Sequence, residues 1–331
     1  MNFSQSPALY YTGPRAVSPG GMYALPEACT GIAFGNGVFV TIGRVTGPYY
    51  SANGIDWTAA ARPHTYLGDC GVYSQTGWFN LTFVNGRFLY SVLQTLIVYE
   101  SVDGITWTPH TIPSDLGTSY QANKIVYGNG VYLLTHYPSP ASTVAYTSPD
   151  LVTWTKVTMP STLLFCAAFG GTSNLFVIVE DSTALNLWTS PNGATWTKRT
   201  IPSTMTYGVG LVYDNGVFIC GQQAGNRTHT STDGITWTLR SSTTMYPVAG
   251  AYCPYFRYGN GKWYSIGHGN GPSVSCCYLV NPTTDTWTAN DAVQQIMVTT
   301  PIFYAMDAAY GNGTWLSIDN VGQGNRVMAY S

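Results

Sequence analysis

One dipeptide with a strong conformational preference, Asn-Gly, recurs along this chain at nearly regular intervals. It stands in Phe34-Gly35-Asn36-Gly37-Val38-Phe39, Phe83-Val84-Asn85-Gly86-Arg87-Phe88 and Tyr127-Gly128-Asn129-Gly130-Val131-Tyr132. It returns at Tyr213-Asp214-Asn215-Gly216, Tyr258-Gly259-Asn260-Gly261 and Tyr310-Gly311-Asn312-Gly313, and a degenerate copy runs from Phe169 to Phe176. Between alternating apolar segments, Asn-Gly suits a two-residue hairpin turn in which both central residues need positive φ.

A second turn signal alternates with the first. Ser-x-Asp/Asn-Gly-x-Thr-Trp-Thr, or close variants, end at Trp57, Trp107, Trp196 and Trp237, and copies without the glycine end at Trp154 and Trp287. Successive tryptophans are 50, 47, 42, 41 and 50 residues apart. Each period of about 46 residues therefore reads as four strands, and in the first period these are expected near 30–35, 38–43, 48–52 and 55–59. Four-stranded antiparallel units at this period argue for a β-propeller, because each twisted sheet has to bury its faces against its neighbours.

Seven Asn-Gly units face only six Trp-Thr units, and the last period ends where its fourth strand is due. Leu9-Tyr10-Tyr11-Thr12-Gly13-Pro14 supplies a substitute, since Tyr11 precedes Trp57 by 46 residues. The expectation is an all-β, seven-bladed propeller of four-stranded antiparallel blades. Residues 1–14 would complete the last blade and close the ring. The whole of 1–331 forms one domain, with blades starting near 30, 79, 123, 164, 208, 254 and 305. Closure removes an open sheet edge and ties the termini together.

Composition narrows the function classes. Only 8% of the 331 residues are charged, 14% are aromatic and 45% are apolar, with a formal charge of −2. Clustered Lys and Arg are needed to hold a phosphate backbone, so nucleic acid is not an expected partner. No apolar run approaches the roughly 18 residues that span a bilayer, so membrane insertion is not expected either. The N-terminal residues lack a basic stretch followed by an apolar one, so no Sec leader is expected. The seven cysteines have no metal-ligand spacing and read as small buried hydrophobes.

The Ser-x-Asp-Gly-x-Thr-Trp unit resembles the Asp-box (BNR) repeat of sialidase-like propellers, one residue shorter than the usual spacing. The resemblance implies a propeller fold and turn-capping Asp side chains, here Asp103, Asp150 and Asp233, away from any active site. It also implies that sialidase activity would need an Arg-Ile-Pro motif and three converging arginines. No Arg-Ile-Pro occurs, and the arginines are scattered.

Other glycoside hydrolases place two carboxylates across the scissile bond. Glu180, Asp181, Asp69 and Asp307 are the candidates here. The five histidines have no pairwise metal spacing, and no phosphate loop or nucleophile elbow is present, so neither cofactor nor metal is expected. The two kinds of short turn fall at one end of a propeller, leaving the loops between strands 2 and 3 and the blade crossings at the other. Those segments vary in length and are rich in flat aromatic rings and neutral hydrogen-bonding groups. His64, Tyr66, Tyr73, Trp78, Tyr120, His136, Tyr137, Tyr207, Tyr246 and Asn270 are the candidate ligand-binding residues.

Low charge, no leader and a Tyr/Asn/Gly/Thr-rich repetitive β fold resemble a bacteriophage tail or receptor-binding protein. That resemblance implies a non-catalytic adhesin in the virion tail, synthesised without a leader and acting outside the cell. Its partners would be a host surface glycan or envelope protein and other virion proteins. A tail-associated glycan-degrading hydrolase, a multivalent lectin and a purely structural virion component are the alternatives.

Overall fold

The computed structural model describes residues 21–43, 46–61, 81–91, 96–113, 122–136, 143–161, 164–180, 186–200, 208–222, 227–241, 251–269, 274–281, 286–289, 305–319 and 326–330. These residues form seven four-stranded antiparallel sheets, the blades.

The N-terminal strand β1 (Met22–Ala24) belongs to the last blade. Blade one is β2 (Cys29–Gly35), β3 (Val38–Gly43), β4 (Pro48–Ser51) and β5 (Thr58–Ala59). Blade two is β6 (Thr82–Val84), β7 (Arg87–Ser91), β8 (Ile97–Ser101) and β9 (Thr108–Thr111), and blade three is β10 (Ala122–Gly128), β11 (Val131–His136), β12 (Val144–Ser148) and β13 (Thr155–Thr158). Blade four is β14 (Leu164–Gly170), β15 (Leu175–Glu180), β16 (Leu187–Ser190) and β17 (Thr197–Arg199). Blade five is β18 (Gly208–Asp214), β19 (Val217–Gln222), β20 (Arg227–Ser231) and β21 (Thr238–Ser241). Blade six is β22 (Ala251–Gly259), β23 (Lys262–Gly269), β24 (Val274–Asn281) and β25 (Thr286–Ala289). The last blade is β26 (Ala305–Gly311), β27 (Thr314–Asp319) and β28 (Arg326–Tyr330), with β1 outermost. The first strands of consecutive blades pack on one another, and β26 packs on β2 to complete the circuit.

Local chemistry accounts for the turns. Gly35 pairs with Val38 across Asn36-Gly37, whose φ angles are +46° and +84°. Asparagine tolerates the left-handed region and glycine enters it without a Cβ penalty, so the dipeptide makes the primed turn that matches strand twist. The second kind of turn is built on a side chain. Asp103 Oδ1 accepts the backbone N–H groups of Ile105 and Thr106, each at 2.8 Å, and the Ser101 hydroxyl at 3.0 Å. Ser101 Oγ in turn accepts the Gly104 N–H at 2.8 Å. The same Oδ1 bonds recur at Asn53, Asp150, Asn192 and Asp233.

Where the residue is Asp, the following tryptophan indole also donates back into the turn, Trp107 to Gly104 O at 3.2 Å, Trp154 to Leu151 O at 2.8 Å and Trp237 to Gly234 O at 3.1 Å. Where it is Asn, the buried indole nitrogens of Trp57 and Trp196 have no partner among the described residues.

Apolar packing lies between blades. Ala33, Val40 and Ile42 of blade one pack with Leu81, Phe88, Tyr90, Tyr99 and Trp107 of blade two. The pattern repeats round the ring, and fully burying each such side chain contributes about 1.5–3 kcal/mol. The turn tryptophans are part of this core, Trp107 and Trp154 being 8% exposed and Trp237 4%. The glycine before the turn Asn serves the same packing. A Cβ on Gly35 would fall inside the Phe83 ring of the next blade, and Gly128 meets Phe169, Gly259 meets Tyr310 and Gly311 meets Phe34 in the same way. These four glycines provide space.

The way the ring closes differs from the sequence expectation. The outermost strand of the last blade is Met22–Ala24, in register Met22↔Met328, Tyr23↔Val327 and Ala24↔Arg326. Residues 9–14, expected to fill this position, lie outside the described residues. Equal spacing of the repeats requires a crossing into blade one as long as the others, whereas only residues 25–28 separate β1 from β2. Leu25 anchors that short link, buried among Cys29, Ile32, Val327 and Ala329.

Candidate functional site

The hairpin turns between strands 1 and 2 and the Ser-x-Asp/Asn turns between strands 3 and 4 share one end of the antiparallel blades. Several polar side chains at this end are spent on internal bonds. Asn36 Nδ2 donates to Gly86 O at 3.1 Å and Val102 O at 2.9 Å on the next blade. Asn129 Nδ2 does the same to Asn174 O and Pro191 O at 3.0 and 2.8 Å, and Asn312 Nδ2 to Gly37 O and Ala52 O at 3.2 and 2.9 Å. In blade four the degenerate turn substitutes a backbone donor, Thr172 N to Thr232 O at 2.9 Å. The residue after the turn serine is therefore a repeated acceptor. Asn85 departs from this pattern, its Nδ2 lying 2.8 Å from the Tyr132 hydroxyl.

The opposite end carries the segments from which the ligand-binding candidates came. His136 is the last residue of β11, in register with Ala122. His64, Tyr66, Tyr73, Trp78, Tyr120, Tyr137, Tyr207, Tyr246 and Asn270 lie outside the described residues, as do Asp69 and Asp181.

The other two carboxylate candidates stand on different blades with separate partners. Glu180, 4% exposed, accepts Asn186 Nδ2 at 2.5 Å and the Trp188 indole N–H at 2.8 Å, while its own backbone N–H donates to Asn186 O at 3.0 Å. It clamps the chain returning from β15 to β16. Asp307 is completely buried in β26. Its Oδ1 accepts the Arg257 guanidinium at 2.6 Å and the Ala308 N–H at 2.8 Å, and its Oδ2 accepts the Ile32 N–H at 3.2 Å. Asp307 thus joins blades six, seven and one.

The inner strands place Asp307 in a group that single motifs do not reveal. Irregular pairing recurs in β2 between Cys29 and Ile32, in β10 between Ala122 and Lys124, in β14 between Leu164 and Cys166, and in β26 between Ala305 and Asp307. β18 and β22 carry similar shifts, at Val209/Val212 and Tyr252/Tyr255. A bulge bends the strand and increases its twist, which re-aims the side chain at that level. Gly31, Lys124, Gly210 and Asp307 each sit five residues before a turn asparagine, and Cys166 five before Gly171. Aligning the repeats on their turns is the sequence signal that would have collected them.

Lys124 and Asp307 carry the charge in this group, and Arg257, three residues before Asn260, adds a second cation beside them. Lys124 Nζ reaches from blade three to Leu211 O of blade five at 3.2 Å, crossing the ring interior. Burial pulls the Lys124 ammonium below the ordinary lysine range, with Cys166 and Asp307 acting against that and Arg257 adding to it. Burial likewise pushes the Asp307 carboxyl above the usual range despite Arg257 and the two amides. Among the described residues, no group of three or more His, Cys, Asp or Glu side chains is placed to hold a metal ion.

No protein-family model matches the chain, and no curated protein matches it. Similar solved structures include virginiamycin B lyase from Staphylococcus aureus, 13% identical with a TM-score of 0.67, covering 94% of this chain and 98% of that one. A streptogramin B lyase is 11% identical with a TM-score of 0.67, covering 93% and 96%. YCF48 bound to D1 peptide is 13% identical with a TM-score of 0.64, covering 98% and 96%. At these identities the likeness is one of fold alone.

Proposed function

We propose that this chain is a non-catalytic binding propeller, a phage tail or virion adhesin whose variable-loop end engages a host surface glycan or envelope receptor. The observation that carries the choice of end is the use of polar groups at the other one. There Asn36, Asn85, Asn129 and Asn312 of the hairpin turns and the Ser-x-Asp/Asn side chains are bonded within the ring. The opposite end holds the segments of differing length rich in Tyr, His, Asn and Trp, and varied loops on a rigid repeat are where repeat proteins carry recognition. Glu180 and Asp307 support binding over hydrolysis, since they stand on different blades and each is occupied by its own donors, Asn186 and Trp188 for Glu180 and Arg257, Ala308 and Ile32 for Asp307. Weak single-site affinity would be raised by copy number on a particle.

Glycan-array binding of the labelled chain, with bacterial surface polysaccharides included, tests this reading. Stable and selective signal is expected, and it should be lost when Tyr66, Tyr73 and Trp78 are replaced together by alanine. A signal that decays with time on particular spots would instead indicate cutting. A blank array would end the glycan form of the proposal and leave a protein receptor to be sought with host envelope extracts.

A further inference from the structure

We infer that the axial column of the propeller is a binding site for a small oxyanion, a phosphate or carboxylate group held by the Lys124 ammonium. The site is built from inner-strand residues and does not depend on the adhesin reading.

Lys124 of β10 and Asp307 of β26 stand at matching positions of their inner strands, and Arg257 of β22, two residues nearer its own turn, reaches across to Asp307. Asp307 is already engaged by Arg257, Ile32 N and Ala308 N, so its charge is spent on Arg257. Lys124 carries three N–H donors, and among the described residues only Leu211 O accepts one. No carboxylate among the described residues comes within ion-pair range of it.

The Lys124 side chain is part-buried, and an ammonium drawn partly out of bulk water gains from a partner that is both charged and hydrogen-bonding. An oxyanion supplies both a charge and several lone pairs, and charge-assisted bonds of that kind are the strong ones. Gly31 and Gly210, at the matching positions of β2 and β18, put no side chain into the axis beside it. A span bridged by one lysine limits the occupant to a small group.

The groups facing Lys124 set the direction of the pH response. Rising pH removes the Lys124 charge earlier than for an ordinary lysine, because burial favours its neutral form. Falling pH neutralises Asp307 earlier than an ordinary carboxyl and adds to the positive excess, while Cys166 contributes negative charge only if it ionises and Arg257 stays cationic. Affinity for an anion of fixed charge, such as selenate, therefore falls as rising pH removes the Lys124 charge.

Isothermal titration of the full chain with sodium phosphate, against sodium chloride at matched ionic strength, is the test. One phosphate per chain is expected, bound at least about tenfold tighter than chloride, with binding lost in Lys124→Met. Equal affinity for chloride, no heat with the unmodified chain, or unchanged binding in Lys124→Met would each overturn the site. Should the variant not fold, selenate soaked into crystals of the unmodified chain decides the matter. Anomalous density within hydrogen-bond reach of Lys124 Nζ is expected, and its absence there refutes the proposal. Neither readout involves a glycan, so failure on the array and failure here are separate results.

Discussion

The side-chain amide of Asn312 donates to the carbonyl of Gly37 at 3.2 Å, joining residues 275 positions apart. The same nitrogen donates to Ala52 O at 2.9 Å, so one asparagine in the last blade holds both turns of the first. Together with the β1–β28 pairing and the Asp307–Ile32 bond, it is one of the polar closures of the ring.

Asn312 performs two tasks, and two substitutions separate them. Asn312→Gly keeps the left-handed turn but removes both inter-blade bonds, for an expected loss of about 1–2 kcal/mol. Asn312→Ala also forces an alanine to φ near +48° and should cost about 1 kcal/mol more. Asn215→Gly is the control, because the Asn215 side chain makes no inter-blade bond among the described residues. Urea unfolding of the three variants should rank them Asn215→Gly, Asn312→Gly, Asn312→Ala in order of increasing damage.

Two neighbouring glycines should respond to alanine for different reasons. At Gly128 the new methyl would fall inside the Phe169 ring, and overpacking of this kind costs about 1–3 kcal/mol. At Gly130 nothing lies within 4 Å of the added Cβ, but φ is +78°, so the expected loss is a conformational one of about 1–2 kcal/mol. Trimming the neighbour distinguishes them in calorimetry. Phe169→Leu should partly relieve Gly128→Ala and leave Gly130→Ala unchanged.

Leu151 occupies the position that is glycine in most of the Ser-x-Asp/Asn turns, with φ +66° and complete burial. Glycine there would release about 1 kcal/mol of backbone strain. It would also remove a leucine packed with Tyr146 and Trp154, at a cost of about 2–5 kcal/mol. Burial outweighs strain, so Leu151→Gly is expected to lower the melting temperature. An unchanged or raised value would mean that the side chain is poorly packed.

Acid should weaken the Asp turns and spare the Asn turns. At Asp103 and Asp233 burial raises the carboxyl pKa, but the N–H donors of Thr106 and Ile105, or of Thr236 and Ile235, outweigh it and hold the group below its ordinary range. At Asp150 the Thr153 and Val152 amides do the same. A depressed folded-state pKa stabilises above the unfolded value near 3.9, and that stability disappears as pH falls through the folded value. Asp103→Asn with Asp233→Asn should therefore flatten the decline of stability below about pH 4. Parallel decline in parent and variant would contradict the assignment.

Cys29 should behave as a buried hydrophobe. Burial pushes its thiol up to about 12, with a hydrogen bond to Thr41 opposing. The thiolate is the reactive form, so alkylation of Cys29 in the folded protein at pH 8 should be slow and should become fast in denaturant. Rapid native labelling, mapped by mass spectrometry, would show that this part of blade one opens.

What the chain reveals without a structure is the chemistry that acts over a few residues. Asn-Gly and Ser-x-Asp/Asn announce their turns because φ and side-chain-to-backbone bonding are decided within each turn. Strands follow from the alternation between those turns, and Asp103, Asp150 and Asp233 read as caps on the same local grounds. The closing strand could not be found by spacing, because Met22–Ala24 is defined by its pairing with Arg326–Tyr330 and by the short link through Leu25. Glu180 is one of several candidate carboxylates in the sequence, and only the fold shows Asn186 and Trp188 holding it. Lys124, Arg257 and Asp307 lie 50 or more residues apart and carry no motif, yet they converge because inner strands bulged at corresponding levels face one axis. Turns are set by bonded neighbours, whereas electrostatic balance depends on which blades the closed ring brings together.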